Sequence, residues 1–306
     1  MKRDFVNFED LTKDEVLQIL DYADYIKKNP FSSDVLKNKS IGLIFMKPST
    51  RTRLSFEVGV YQLQGQPIYI QGSSTQLSRG EDIKDTARVM SRYLDGIVIR
   101  TYSHQEVEDL AKYGSIPVIN ALTDYQHPCQ VLADLQTIKE QFGKIEGLKL
   151  AYVGDGNNMA NTLLIACAQM GIHISVATPP LYEPNAKAVK KAIDFAKETK
   201  VDVEILNDPV EAVKGADVIY TDVWISMGQE EDKSKKELFK RFTVNKELLK
   251  YANKNAVVMH CLPAHKGEEI TEDVFENFAD IIFNQAENRL HAQKALLNFI
   301  YKGGKL

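Results

Sequence analysis

One stretch of the sequence decides the fold: Ile41-Gly42-Leu43-Ile44-Phe45-Met46, followed by Lys47-Pro48-Ser49-Thr50-Arg51-Thr52-Arg53. The apolar run predicts a buried strand, and Pro48 ends it. Ser49 or Thr50 can then cap a helix whose first turn carries Arg51 and Arg53. Helix starts and guanidinium groups both suit phosphate oxygens, so this turn predicts a phosphate site. An ordinary capped helix with solvated arginines is the structural alternative.

Strand and helix patterns alternate along the rest of the chain. Near-continuous apolar strands between helices are typical of parallel sheets covered on both faces. We therefore predict an α/β fold with two doubly wound parallel-sheet domains and an active-site cleft between them. The expected domains are 1–143 and 144–284, with a linker at 143–147, a last strand at 280–283 and a C-terminal helix over 285–306 that packs back onto the first domain.

The composition excludes several classes of partner. The chain has 306 residues, with 38 basic and 42 acidic side chains and a net charge of −4, which gives no reason to expect nucleic acid. No apolar run approaches the roughly 18 residues of a membrane span, and no signal segment follows Met1. Cys129, Cys167 and Cys261 are far apart and odd in number, which predicts a reducing cytoplasm rather than a disulfide framework.

Polar residues of the first half follow the ends of predicted strands, where parallel sheets bind ligands. Arg100 closes an apolar strand and is either a second cation for the phosphate or a solvated strand end. His127 and Gln130 share one face of a helix start and could bind a carbonyl oxygen and a carboxamide. A capped helix with a partly buried histidine is the alternative. Cys129 is expected to be a packing residue.

The second half shows the same placement, in the sequences Gly154-Asp155-Gly156-Asn157-Asn158, Asp222-Val223-Trp224-Ile225-Ser226-Met227-Gly228 and His260-Cys261-Leu262-Pro263. A nicotinamide site is disfavoured because Met159 replaces the third glycine of the dinucleotide pattern. Instead, Asn157 and Asn158 suit a small polar ligand, and Asp222 and Ser226 suit an ammonium group and a carboxylate. The alternative is a loop held by Asp and Ser turns. No second ligand pair stands at zinc spacing from His260, so no metal is expected. The run 229–236 is expected to be a solvated mobile loop.

Four motifs in this order resemble the aspartate/ornithine carbamoyltransferase family over nearly the whole chain. They are Ser-Thr-Arg-Thr-Arg from Ser49, His-Pro-Cys-Gln from His127, Asp-Val-Trp-Ile-Ser-Met-Gly from Asp222 and His-Cys-Leu-Pro-Ala from His260. The last two are similar to the ornithine branch. The resemblance implies transfer of a carbamoyl group from carbamoyl phosphate to L-ornithine without a cofactor, in an anabolic, arginine-forming enzyme.

The same resemblance implies roles for individual residues and a homotrimer. Gln76 would reach the phosphate site of a neighbouring subunit. Arg100, His127, Asp222 and Cys261 would be the catalytic residues. Carbamoyl phosphate would be held by Ser49, Thr50, Arg51, Thr52, Gln76, Arg100, His127, Gln130, Cys261, Leu262 and Arg289, the last at the opening of the final helix. Ornithine would be held by Asn158, Asp222, Ser226 and Met227.

Three other functions stay open from the sequence. A carbamoyltransferase for putrescine or an acylated ornithine would share the phosphate half. A nicotinamide dehydrogenase would use the glycine turn after Val153, and an amino-acid-binding protein would use only the second half. The phosphate-side arginines argue against the last of these, because amino-acid binding does not require them.

Overall fold

The predicted alternation of strands and helices forms two separate parallel sheets. The computed structural model describes residues 2–72, 80–225 and 233–306. The chain divides into two compact units, Met1–Gln136 with Glu287–Leu306, and Thr137–Ala286. Each unit contains one parallel sheet with interleaved helices, so the predicted α/β class with two parallel-sheet domains is confirmed.

The first unit contains a four-stranded sheet in the order β2-β1-β3-β4. Its central strands β1 and β3 are almost wholly buried, as their apolar sequences predict, whereas the edge strand β2 is largely exposed. The strands are β1 (Ser40–Phe45), β2 (Gln66–Gln71), β3 (Gly96–Arg100) and β4 (Val118–Leu122). The helices are α1 (Lys13–Lys28), α2 (Arg51–Gln62), α3 (Ile83–Tyr93) and α4 (His104–Tyr113), with a 3-10 helix at Phe8–Asp10. Helix α5 (Pro128–Phe142) begins in this unit and ends in the second.

The second unit contains a five-stranded sheet in the order β7-β6-β5-β8-β9. Its strands are β5 (Lys149–Val153), β6 (His173–Ala177), β7 (Val203–Leu206), β8 (Val218–Thr221) and β9 (Val257–His260). Its helices are α6 (Asn158–Met170), α7 (Ala186–Thr199), α8 (Pro209–Val213), α9 (Lys233–Phe239), α10 (Lys246–Leu249) and α11 (Glu272–Asn277), with a 3-10 helix at Lys240–Phe242. The last helix, α12 (Ala279–Tyr301), begins in this unit and ends in the first.

The predicted strand at 280–283 is wrong, because these residues form the first turn of α12. A short apolar run fits a strand or a helix equally well by its pattern. Within it, Ile282 is buried in the core of the second unit, while the neighbouring Phe283 is 57% exposed. Arg289 consequently lies in the interior of the last helix and not at its opening.

Helix α1 begins with a reciprocal pair of hydrogen bonds at its N-cap residue, Thr12. The Thr12 hydroxyl accepts from the Glu15 N–H (3.3 Å), and the Glu15 carboxylate accepts from the Thr12 N–H (2.9 Å). This reciprocal pair is the capping box that the spacing of the two residues indicates. Across the described ranges of the chain, no helix combines the length and the apolar character needed to cross a membrane.

Candidate active site

The predicted phosphate turn lies where the strand order of the first sheet reverses. The chain runs from β1 outward to β2 and then returns to β3 on the other side of β1. Open parallel sheets bind ligands beyond the carboxyl ends of the strands at such a reversal. Residues 49–52 follow β1, and Arg100 is the last residue of β3. The Met46 N–H donates to the Arg100 carbonyl (2.8 Å), which holds the two strand ends side by side.

The predicted cap at the start of α2 is correct in position but not in its bonding. Thr50 occupies the N-cap position with φ −90° and ψ −59°, and among the described residues its side chain makes no capping hydrogen bond. Arg51 follows as the first helical residue. Since the Thr50 hydroxyl does not cap the helix, its first N–H groups can bind an anion beside Arg51.

Arg289 connects three helices of the first unit. Its Nη1 donates to the Gln130 side-chain oxygen on α5 (2.5 Å), and its Nη2 donates to the Thr52 hydroxyl on α2 (2.9 Å). All three side chains are at least 97% buried. A buried guanidinium that holds a hydroxyl and an amide in fixed positions prepares both groups for a ligand.

His127 precedes Pro128, the first residue of α5, and is 5% exposed. Burial lowers its pKa well below the usual value, and the neighbouring Arg289, Arg100 and Arg51 guanidiniums lower it further. The imidazole is therefore neutral at pH 7 and can donate a hydrogen bond from one ring nitrogen. We call Arg51, Arg100 and Arg289 with this histidine the cationic cluster. Its charge suits a multiply charged anion.

Asp134 is a buried carboxylate that the sequence reasoning missed. Its side chain is fully buried and accepts from the Gln130 Nε2 (2.8 Å). Gln130 is thus held on both sides of its amide, by Asp134 and by Arg289. The spacing of four residues along one helix was the signal that could have found this contact.

The second sheet also reverses its strand order beside the predicted site residues. The chain goes from β5 through β6 to β7 and returns to β8, so β5 and β8 are the neighbours at the reversal. The turn 154–157 follows β5, and Asp222 follows β8. Gly156 is required in that turn, because a Cβ atom there would lie 2.4 Å from the backbone of residues 182–184.

Asp222 and Cys261, which come from two different motifs, contact each other directly. The Cys261 thiol donates to Asp222 Oδ1 (3.1 Å), and the Val223 N–H donates to the same oxygen (2.8 Å). Asn157 Nδ2 donates to the second oxygen, Oδ2 (2.9 Å). Asp222 is 6% exposed, so these bonds fix a carboxylate that is largely removed from water.

The turn that carries Cys261 and Leu262 is held by a buried imidazole. His260 Nδ1 accepts from the Leu262 N–H (2.8 Å), and its Nε2 donates to the Glu269 carboxylate (3.0 Å). Leu262 has a left-handed backbone with φ 61°, which its hydrogen bond to His260 stabilises. The main-chain carbonyls that the resemblance assigns to carbamoyl binding therefore belong to a fixed turn. Glu269 is a second residue that sequence reasoning missed.

Lys235 was predicted to lie in a solvated loop, and this is wrong. Residues 233–236 belong to α9, and Lys235 Nζ lies 3.0 Å from Asp155 Oδ2 with both side chains largely buried. The ammonium group also lies 5.0 Å from the Tyr182 ring centroid. Burial raises the pKa of Asp155, against the lowering effect of Lys235.

Three of the predicted site residues lie outside the part of the chain that the structure describes, and a fourth, Asn158, lies within it. Gln76, Ser226 and Met227 lie outside the described residues, as does the part of the predicted loop over 229–232. Asn158 is the first residue of α6 and is half-buried, beside the turn that ends β5.

Two groups of side chains bring three potential metal ligands together. Asp222, His260 and Cys261 place one ligand atom each within 4.8 Å of one another. Both ring nitrogens of His260 are already hydrogen-bonded, so this trio would have to break a buried contact to bind an ion. The second group is His265, Glu268 and Glu269, in which Glu268 is paired with Lys236.

Two family models match the chain and together span most of it. The model for the aspartate/ornithine carbamoyltransferase carbamoyl-phosphate-binding domain matches residues 3–140. The model for the Asp/Orn-binding domain of the same family matches residues 146–300.

Several proteins named ornithine carbamoyltransferase are similar to this chain over nearly their full length. An ornithine carbamoyltransferase of Thermococcus kodakarensis is 53% identical over 308 residues, covering 99% of this chain and 98% of the relative. One from Bacillus cereus is 53% identical, covering 98% of this chain and 95% of the relative. The solved structure of the Pyrococcus furiosus ornithine carbamoyltransferase gives a TM-score of 0.94 at 50% identity, covering 99% of this chain and 98% of that one.

Proposed function

The chain belongs to the aspartate/ornithine carbamoyltransferase family, and we propose that it transfers the carbamoyl group of carbamoyl phosphate to the δ-amine of L-ornithine. The products are L-citrulline and phosphate, in the direction of arginine biosynthesis. The observation that carries the proposal is the cationic cluster at the strand reversal of the first sheet, beside an uncapped helix start. A dianionic phosphate is the ligand that this arrangement suits best.

The phosphate half of the reaction is assigned to the first unit. The proposed domains are 1–143 for carbamoyl phosphate and 144–284 for ornithine, with residues 285–306 returning to the first. The contacts of Arg289 with Gln130 and Thr52 support that return. The phosphate ligands are Ser49, Thr50, Arg51, Thr52, Arg100 and Arg289, with Gln76 from a neighbouring subunit.

The carbonyl group would be polarised by donors of the same cluster. Thr52, Arg100 and His127 hold the carbonyl oxygen, where negative charge develops as the amine attacks. A preorganised donor of this kind lowers the activation free energy by about 3 kcal/mol. Gln130 and the main-chain carbonyls of Cys261 and Leu262 hold the carbamoyl NH₂ group.

The amine half is assigned to the second unit. Asn158, Asp222, Ser226 and Met227 hold ornithine, whose δ-amine has a lysine-like pKa of about 10.4 in solution and must be neutral to attack. Asp222 and Cys261 position it. The nitrogen lone pair forms the new C–N bond, the C–O bond to phosphate breaks, and the departing phosphate takes the amine proton. These steps require no cofactor.

A homotrimer is part of the proposal. The edge strand β2 and helix α2 expose several apolar side chains to solvent, and an exposed apolar patch is typical of a protein–protein interface. Proteins also normally cover or protect the edge strand of a sheet. The exposed apolar residues are Leu54 (52% exposed), Val58 (39%), Tyr61 (67%), Ile68 (38%) and Tyr69 (37%). Gln76, which the family resemblance assigns to a neighbouring subunit's site, follows β2 in the sequence.

Shared sites can be tested by mixing two inactive variants. In hybrids of Arg51→Ala and Gln76→Ala, some sites take an intact Arg51 from one subunit and an intact Gln76 from the next. Random assembly predicts recovery of about a quarter of the wild-type activity. No recovery in hybrids of the correct trimeric mass would contradict shared sites.

We place the enzyme in the cytoplasm. The support is that the protein's cysteines are thiols, of which Cys129 and Cys167 are buried in the core. Burial raises the pKa of Cys129 to about 12, which makes this thiol unreactive.

The activity is tested with a panel of acceptors. Carbamoyl phosphate is supplied with L-ornithine, putrescine, N-acetylornithine or aspartate, and the carbamoylated product is measured. Turnover with ornithine alone is expected. Turnover with putrescine or an acylated ornithine would keep the phosphate assignment and contradict the ornithine assignment, and no turnover from the folded protein would contradict both.

A further inference from the structure

The carboxylate of Asp222 is held by donors from three different parts of the second unit. The Val223 N–H and the Cys261 thiol donate to Oδ1, and the Asn157 amide donates to Oδ2 at 2.9 Å. Asn157 is therefore the donor that sets the direction of the second oxygen. It comes from the turn after β5, on the neighbouring strand.

The other side of the Asn157 amide is also fixed. Its Oδ1 accepts from the backbone N–H groups of Met159 (2.8 Å) and Ala160 (3.3 Å), which caps α6. Since those donors require an oxygen, the amide nitrogen must face Asp222. One side chain thus locks the helix start to the carboxylate. At neutral pH the amide accepts through its oxygen and donates through its nitrogen, which an ionised carboxylate in its place could not do.

We propose that Asn157 is a positioning residue for the reaction, which orients the Asp222 carboxylate toward the amine of the acceptor. The inference rests on the proposed function, in which Asp222 holds the δ-amine. Asn157 itself does not touch the reacting atoms in this assignment. An aspartate here would cap the helix equally well but place a second carboxylate against Asp222, and a serine would cap the helix without reaching it.

Several ionisable groups face Asp222 and enter any pH dependence. Tyr152 lies on β5 with its hydroxyl donating to the Asp155 carbonyl (2.9 Å), and Asp155 is paired with Lys235 of α9. Cys261 and His260 approach from the end of β9. Tyr152 keeps its proton at neutral pH, because burial and then Asp222 raise its pKa well above the usual value.

The test compares Asn157→Asp and Asn157→Ser with Asn185→Asp. Asn185 is the exposed N-cap of α7, where its side chain accepts from the Lys187 N–H (2.9 Å), so it controls for cap chemistry alone. The readouts are kcat/KM for ornithine across pH 6 to 10, the KM for carbamoyl phosphate and the thermal unfolding midpoint.

In Asn157→Asp, the new carboxyl group should share one proton with Asp222 at low pH, because two adjacent carboxylates do not both ionise easily. The pair should lose this proton as the pH rises. The variant's profile for ornithine should therefore gain a descending limb that wild type and Asn185→Asp lack. Asn157→Ser should lose about 10- to 100-fold in kcat/KM for ornithine at every pH, the usual effect of removing a bond to a buried charge. The KM for carbamoyl phosphate should stay within about twofold in both.

If folded Asn157→Asp keeps the wild-type kcat/KM and the wild-type pH profile, Asn157 only caps α6 and the proposal is overturned. If that variant does not fold, Asn157→Ser decides, and a wild-type kcat/KM for ornithine there overturns it equally. Wild-type protein that carbamoylates no acceptor would instead remove the proposed function, and this inference with it.

Discussion

Arg289 Nη1 and Gln130 Oε1 are 2.5 Å apart, although the two residues are separated by 159 positions in the sequence. The contact joins the interior of the last helix to the first turn of α5. Because Gln130 is held on its other side by Asp134, its amide has one fixed orientation. A preset amide of this kind lowers the entropy lost when a carboxamide ligand binds.

We expect Gln130→Ala to weaken carbamoyl phosphate binding and slow turnover. The substitution removes one donor–acceptor group and leaves Arg289 and Asp134 without this partner. A loss of about 10- to 100-fold in kcat/KM for carbamoyl phosphate is expected for a buried bond to charged groups. Steady-state kinetics measures it, with Gln136→Ala as a control on the same helix. Gln136 donates to Asp24 Oδ1 at 3.3 Å, and equal losses in both variants would indicate a general packing defect.

Arg51→Ala should abolish turnover while the fold is retained. Arg51 is half-buried at the start of α2 and contributes to the low pKa of His127, so it lies close to the assigned phosphate. The matched control is Arg53→Ala, because Arg53 is bonded to Glu57 (2.9 Å) and stacked on Tyr69. Activity assays and circular dichroism are the measurements. Full activity in Arg51→Ala would remove the phosphate assignment.

His127 should stay uncharged well below pH 6.5. Its pKa is lowered by burial and then by Arg289, Arg100 and Arg51, so the folded protein resists the proton that the unfolded chain accepts near pH 6.5. The stability that this group contributes is therefore fully present above pH 6.5, the pKa of the unfolded chain. It is lost progressively as the pH falls from there to the lowered pKa of the folded state. Histidine NMR titration tests this. Titration of His127 near pH 6.5 in the ligand-free protein would be contradictory, and bound phosphate should raise its pKa.

Lys294 should make folding depend on pH in the alkaline range. Its side chain is fully buried, its Nζ donates to the neutral oxygens of Pro30 and Gln62, and burial lowers its pKa from 10.5 to about 8. Between those values the unfolded chain binds more protons than the folded one, so the free energy of unfolding rises with pH.

We expect Lys294→Met to flatten that dependence. Urea unfolding midpoints at pH 7.5 and pH 9.5 are the measurement, with the exposed Lys302→Met as control. The control should keep the wild-type rise with pH. An unchanged rise in Lys294→Met would mean that Lys294 does not titrate in this window.

Much of the site was predictable because its residues directly follow apolar strands. Ser49 to Thr52 come after β1 and Arg100 ends β3, and the structure has both at one strand reversal. Asp222 and Cys261 follow two other strands and are in contact. Parallel sheets bring such ends together whatever the intervening sequence, so short patterns sufficed.

Other features of the fold and the site depend on contacts between residues far apart in the sequence, which a local sequence pattern does not show. The run expected to be a strand at 280–283 is the first turn of α12, and of its apolar residues Ile282 is buried while Phe283 is exposed. The pattern of so short an apolar run does not distinguish a strand from a helix. Arg289 therefore reaches its partners from the middle of a helix. Asn157 looked like a ligand for a substrate, and only its two sets of hydrogen bonds identify it as the contact between α6 and Asp222.

The most direct test of carbamoyl transfer follows the carbon atom itself. Carbamoyl phosphate labelled with ¹³C is mixed with L-ornithine and the protein, and the label is observed by NMR. We predict that the label appears in the ureido carbon of citrulline, bonded to the δ-nitrogen, at a rate that matches phosphate release. Phosphate release with the label passing only to bicarbonate, or a label on the α-nitrogen, would contradict it.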